Sequence, residues 1–131
     1  MHFPFVTIML AAFFAFLSVA LSIQTSLRRK KLGVGIGDGG DETLQRRVRA
    51  HGNFIEYAPM SLILLGLVEI QGAARSMVLS IGFALALARL LHAAGMLYAA
   101  GPGLRGAGMM LQHAAYLFCG TWLAIRLLAV A

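Results

Sequence analysis

The feature that most constrains this chain is an apolar run near its N-terminal end. Residues 3–23 contain only Thr7, Ser18 and Ser22 as mildly polar breaks. A helix rising about 1.5 Å per residue carries such a run across roughly 30 Å, the hydrocarbon thickness of a bilayer. A secretory signal is the competing reading, but signals open on a positive segment, and here the basic cluster follows the run. Further apolar segments cover residues 53–73, 77–100 and 107–131, with a turn at Gly101-Pro-Gly-Leu-Arg-Gly106 before the last. With 60% hydrophobic and 12% charged residues, the 131-residue chain has more apolar side chain than one small core hides. The expected fold is an all-α membrane protein: one domain over residues 1–131, a four-transmembrane-helix up-down bundle. Disorder and a nucleic-acid module fit this composition poorly. Cys119, the single cysteine, excludes an internal disulfide.

Residues 24–49 are the one long polar stretch and read as a loop. Their alternating glycines, Gly33 to Gly40, superficially resemble a phosphate-binding loop. No strand pattern precedes them and no GK[ST] follows, so a flexible connection is the simpler reading. Asp41 or Thr43 is placed to N-cap a helix starting near Leu44. The net charge is +6, and seven of the eleven Lys and Arg (Arg28, Arg29, Lys30, Lys31, Arg46, Arg47, Arg49) fall in this region. With Arg105 in the third connection, eight cations lie on one side. That side is expected to be cytoplasmic, with both termini opposite.

Ionisable groups inside spans are costly and mark function by default. Arg46, Arg49, Asn53, Glu56 and Met60 step by three and four residues, so they share one helical face, with Tyr57 beside it. Arg28 and Arg29 at the end of the first helix lie at the same depth, as do Tyr98, Arg105 and Gln112. His92 sits about two turns deeper. A polar, anionic ligand held between helix ends is the simplest object that satisfies them together. Pro59 leaves the Ile55 carbonyl without its helical partner. Glu56 and Arg89 are expected to form a buried ion pair, within one chain or across subunits. Glu69 and Arg75 are expected to pair or snorkel at the far interface. His51, His92 and His113 are too dispersed for a metal site. Lys30 and Lys31 suit anionic lipid, and Tyr116 and Trp122 suit core or lipid contact.

Arg46-Arg-Val-Arg-Ala-His-Gly-Asn-Phe-Ile-Glu-Tyr-Ala-Pro59 resembles the signature R-x-x-R-A-x-x-N-x-x-E-x-x-P of the MAPEG family, the membrane-associated proteins of eicosanoid and glutathione metabolism. The four-segment layout matches as well, and the short connections look most like the small bacterial inner-membrane branch. The resemblance implies a homotrimer in membrane lipid, with a glutathione site at each subunit interface. It implies glutathione as co-substrate, a lipophilic small-molecule substrate and no metal. Carried over by position, Arg46, Arg49, Asn53, Glu56 and Tyr57 bind glutathione, with Arg28 on a carboxylate and His51 as a polar contact. Arg89 matches the family's third-helix arginine. Arg105 falls where the family places the arginine that stabilises the thiolate, and is the catalytic candidate. Two features depart from the pattern. His92 and Met96 stand where the eicosanoid branch has tyrosines, leaving Tyr98 displaced by two, and the turn before Arg105 is longer and rich in glycine.

Glutathione is a net anion, and arginine matches carboxylates by bidentate geometry. The expected function is therefore a glutathione-dependent transferase or peroxidase acting on lipophilic electrophiles or hydroperoxides. The alternatives are a non-catalytic oligomeric scaffold of the same fold, and a small transporter using Glu56 as coupling acid. The arginines beside Glu56 argue against the transporter, because they favour a fixed anion over proton exchange.

Overall fold

The computed structural model describes residues 3–98 and 102–129; the expected segment ends 99–100 and 130–131, with Gly101 of the turn, lie outside the described residues. Four helices follow in order: α1 (Phe5–Leu32), α2 (Glu42–Ile70), α3 (Arg75–Leu97) and α4 (Gly103–Leu128). Short connections force neighbours antiparallel, so the bundle runs up and down. α2 and α3 form its centre, α1 packs on both from one side and α4 on both from the other.

The polar stretch 24–49 is not a loop, and this corrects the reading of the sequence. α1 runs on to Leu32 and α2 already starts at Glu42, so only residues 33–41 are non-helical. Hydropathy marks where lipid ends, not where a helix does. Ser26-Leu-Arg-Arg-Lys-Lys-Leu32 contains good helix formers and no breaker, and its cations suit the negative end of the helix dipole. Gly33 stops the helix in the left-handed conformation (φ 67°), where the Gly33 and Val34 amides return to the carbonyls of Lys30 and Arg29. α2 then starts as expected, with the Asp41 side chain accepting from the Leu44 amide at 2.6 Å.

The core is made of one stripe from each helix. α1 contributes Val6, Leu10, Phe14 and Leu21; α2 contributes Phe54, Leu65 and Val68; α3 contributes Val78, Ile81 and Leu85. Phe14 and Phe54 meet edge to face, their centroids 5.4 Å apart. Outside this core, large apolar residues such as Phe16, Phe83, Leu117 and Leu128 are exposed. Only 22% of the most apolar part of α1 is buried within the chain, so lipid or another subunit must cover the rest. α1, α2 and α3 are long and apolar enough to cross a membrane. α4 packs as the fourth bundle helix, its apolar sequence broken by Gln112, His113 and Arg126.

At the end of the bundle away from the basic loop, Glu69 does not pair with Arg75. Its carboxylate caps α1 instead, accepting from the Val6 amide (2.8 Å), the Thr7 amide (2.8 Å) and the Thr7 hydroxyl (2.7 Å). The N-cap Pro4 offers no side-chain acceptor, so the last turn of α2 supplies one across the antiparallel pair.

Candidate functional site

At the basic end of the bundle, α2, α3 and α4 surround a cleft of about 780 Å³. The α2 wall is the predicted stripe carried one turn further toward the N-terminus: Glu42, Gln45, Arg46, Arg49, Asn53 and Glu56, with Val48 and Gly52. α3 contributes His92, Gly95 and Met96, and the start of α4 contributes Pro102 and Arg105. The volume suits a tripeptide-sized ligand.

Two glycines set this geometry. A Cβ on Gly95 would lie 2.5 Å from the Arg105 amide nitrogen, and one on Gly108 would lie 2.7 Å from the Ala88 carbonyl oxygen and the His92 amide nitrogen. α3 and α4 therefore approach to backbone contact. That approach brings Arg105, in the first turn of α4, over the α3 wall, where its guanidinium meets the Met96 sulfur at 3.7 Å. Among the described residues no side chain caps the α4 N-terminus, so its first-turn amides add positive potential at the Pro102 and Arg105 side of the cleft.

Three arginines and two glutamates line the cleft. Arg46 binds Glu42 one turn away, at 2.7 Å and 3.1 Å. A third-helix cation lies just behind the wall. Arg89, only 1% exposed, donates to Asn53 Oδ1 at 2.9 Å and stands over the Tyr57 ring at 5.1 Å. Within one chain the expected Glu56–Arg89 pair does not form: the buried guanidinium reaches the α2 turn carrying Asn53 and Tyr57, while Glu56 is exposed. The lining thus carries three guanidiniums against two carboxylates, a net positive charge, with Arg89 adding to it from behind.

Below it, a buried polar network joins α2 to α4. Gln112 donates to the Ser61 hydroxyl (2.9 Å), and the Ser61 and Tyr116 hydroxyls both donate to the Tyr57 carbonyl (2.9 Å and 2.5 Å). Tyr116 is therefore a bundle-interior residue with a polar task.

The structure brings Arg46, Arg49, Asn53, Glu56 and Arg105 together. Arg89 and Tyr57 stand behind them. Arg28, His51 and Tyr98 do not line the cleft. Arg28 is held by Asp41 at 2.6 Å and 3.1 Å, a bidentate clamp joining the end of α1 to the start of α2. The Arg28 guanidinium and the Leu44 amide together hold the Asp41 carboxyl below the usual carboxylate range. Tyr98 is 80% exposed at the end of α3. Glu42 and Gln45 were legible as an extension of the same stripe but fell inside the supposed loop. His92 and Met96 stand out in the sequence only as replacements for tyrosines, Gly95 carries no motif, and the packing of α4 brings all three to the wall.

The sequence model of the MAPEG family matches residues 7–126. The "Inner membrane protein YecN" of Escherichia coli K12 is 38% identical over 88 residues, covering 64% of this chain and 67% of that protein, and the same protein of a second Escherichia coli strain matches equally. No solved structure gives a significant match. A family match over nearly the whole chain, on a four-helix bundle whose polar signature face lines the cleft between α2, α3 and α4, establishes that this chain belongs to the MAPEG family.

Proposed function

We propose that this protein is a glutathione-dependent transferase or peroxidase of the inner membrane that activates the glutathione thiolate against lipophilic electrophiles or hydroperoxides. The carrying observation is the single cleft that gathers Arg46, Arg49, Asn53 and Glu56 from α2 with Arg105 from α4. The name of the Escherichia coli relative and three membrane-length helices support the location, with the basic end cytoplasmic. The large uncovered apolar surface and the exposed Glu56 support a homotrimer that closes the open side of the cleft.

In this reading Arg46 and Arg49 take ligand carboxylates, Asn53 donates to a carboxylate or peptide carbonyl, and Glu56 takes the ammonium. Arg28 reaches a carboxylate only by leaving Asp41. Tyr57 supports the site through Arg89; His51 and Tyr98 remain contacts that the assembled trimer would bring in. Arg105 and the α4 amides face the thiol. Lowering a thiol pKa from about 8.5 to about 6.5 needs about 2.7 kcal/mol of preference for the thiolate, within reach of one guanidinium in a partly dry site. The thiol proton leaves to solvent. The sulfur lone pair then forms a C–S bond as the electrophile's leaving group departs with its electrons, or as its double bond takes them. With a hydroperoxide, the thiolate attacks the distal oxygen, releasing the alcohol and a sulfenic acid that a second glutathione converts to disulfide and water.

The test is Arg105→Ala in protein purified into nanodiscs. The expected result is retained oligomer size and glutathione binding, with loss of the ultraviolet thiolate band. An unchanged band refutes the thiolate role. Absence of both a glutathione-dependent thermal shift and turnover with a generic aromatic electrophile favours the non-catalytic scaffold.

A further inference from the structure

Asn53 is the sole asparagine in the chain, and its side chain sits between two environments. On one side is the cleft that it lines; on the other is Arg89. A guanidinium has five N–H donors and no acceptor. The Asn53 amide can therefore face Arg89 only with Oδ1. Arg89 in turn has few alternatives. Its Nη1 donates to Asn53 Oδ1 at 2.9 Å, its Nη2 meets only the Met109 sulfur at 3.7 Å, and its Nε has no partner among the described residues. The Tyr57 ring under the guanidinium holds it in place.

We infer that Arg89 is a positioning and specificity-determining residue: it holds Oδ1 of Asn53 on the Arg89 side and so fixes the Nδ2 donors on the cleft side, biasing this part of the site toward hydrogen-bond acceptors. Left to itself an asparagine serves donors and acceptors alike. Held by Arg89, it donates to a carboxylate or peptide carbonyl and disfavours an ammonium or amide N–H. The inference rests on the reading of the cleft as a site for an anionic peptide, and it explains why Arg89 matters without touching the ligand.

A single asparagine makes the test direct. Asparagine-selective ¹⁵N labelling in nanodiscs gives one side-chain amide pair. In ligand-free protein, Arg89→Gln, which both donates and accepts, should shift and broaden that pair, and Arg89→Lys, a donor only, should restore it. Glutathione should move the wild-type pair and bind Arg89→Gln about 10-fold more weakly, the worth of one hydrogen bond. On an Asn53→Ala background the Arg89→Gln loss should vanish. Asn53→Asp keeps an acceptor for Arg89 but removes the cleft donors, so it should fold as wild type and lose binding by a similar factor. That variant decides the matter even if Arg89→Gln fails to fold. An amide pair indifferent to Arg89→Gln, equal losses with and without Asn53, or full binding by Asn53→Asp each overturns the inference. If glutathione moves nothing in the wild type, the cleft reading fails, while the response of the ligand-free pair still decides the orientation.

Discussion

Glu69 is where one substitution tests how the bundle is tied together. The carboxylate is buried and accepts three hydrogen bonds at 2.7–2.8 Å, two of them from the amides that open α1. Hydrogen bonds to a charged group contribute about 1.5–3 kcal/mol each, but losses within one group overlap and the freed amides relax partly toward water. Glu69→Gln keeps one carbonyl acceptor and turns an NH₂ toward a donor, so it should cost about 2 kcal/mol, including the lost attraction to the α1 dipole. Glu69→Ala removes every acceptor and leaves a gap, for about 3–4 kcal/mol. For a chain of this size each kcal/mol moves the midpoint by roughly 4 °C, which places Glu69→Gln about 8 °C below wild type. The assay is thermal unfolding in one detergent at fixed concentration, followed by circular dichroism. Glu42→Gln is the control: its exposed pair with Arg46, one turn along the same helix, should shift stability by no more than about 0.5 kcal/mol. A Glu69→Gln midpoint equal to that of Glu42→Gln refutes the capping role.

Other outcomes follow from the same geometry. Gly95→Ala places a methyl 2.5 Å from the Arg105 amide nitrogen and should cost about 1–3 kcal/mol while lowering thiolate formation, both read from one purified sample. Gly120→Ala on α4, with open space at its Cβ, should raise the melting midpoint through about 0.5–1 kcal/mol of helix propensity. The Asp41 carboxyl sits below its ordinary range in the fold. Its contribution is therefore complete above the unfolded carboxyl pKa of about 3.9 and drains away as pH falls through the lower folded value. Hydrogen exchange at the Leu44 amide should accelerate only in that acid window, and Asp41→Asn should remove the dependence.

What the sequence disclosed follows the range of the forces involved. Lipid exposure is a property of consecutive residues, so the four segments were readable. A helical stripe is a property of residues three and four apart, so the α2 wall was readable down to Glu56. The Asp41 cap spans three residues and was legible for the same reason. The end of α1 was misjudged because charge was taken as a helix stop, whereas Gly33 is the actual stop. Glu69 and its α1 partners are 62 and 63 residues apart, and Arg89 and Asn53 are 36 apart, so neither contact has a local signature. Glu56 was the natural partner for Arg89 by charge alone. Reach, not charge, decides that the guanidinium meets Asn53.

That choice of partner has an electrostatic consequence. Removing a carboxylate from beside a buried guanidinium leaves a desolvated cation, which is costly unless other groups compensate. Here the compensation is partial: one amide oxygen, one aromatic face and one thioether. A Glu56–Arg89 pair would have neutralised this side of the site. Pairing Arg89 with the neutral Asn53 leaves its positive field directed at the cleft, where Arg49 and Arg105 already stand. Glu56, exposed on the same wall, stays outside that contact. Within one chain the polar stripe is therefore a buried cation held by neutral groups beside an exposed carboxylate, and the separation of the two charges, not their pairing, sets the field in the cleft.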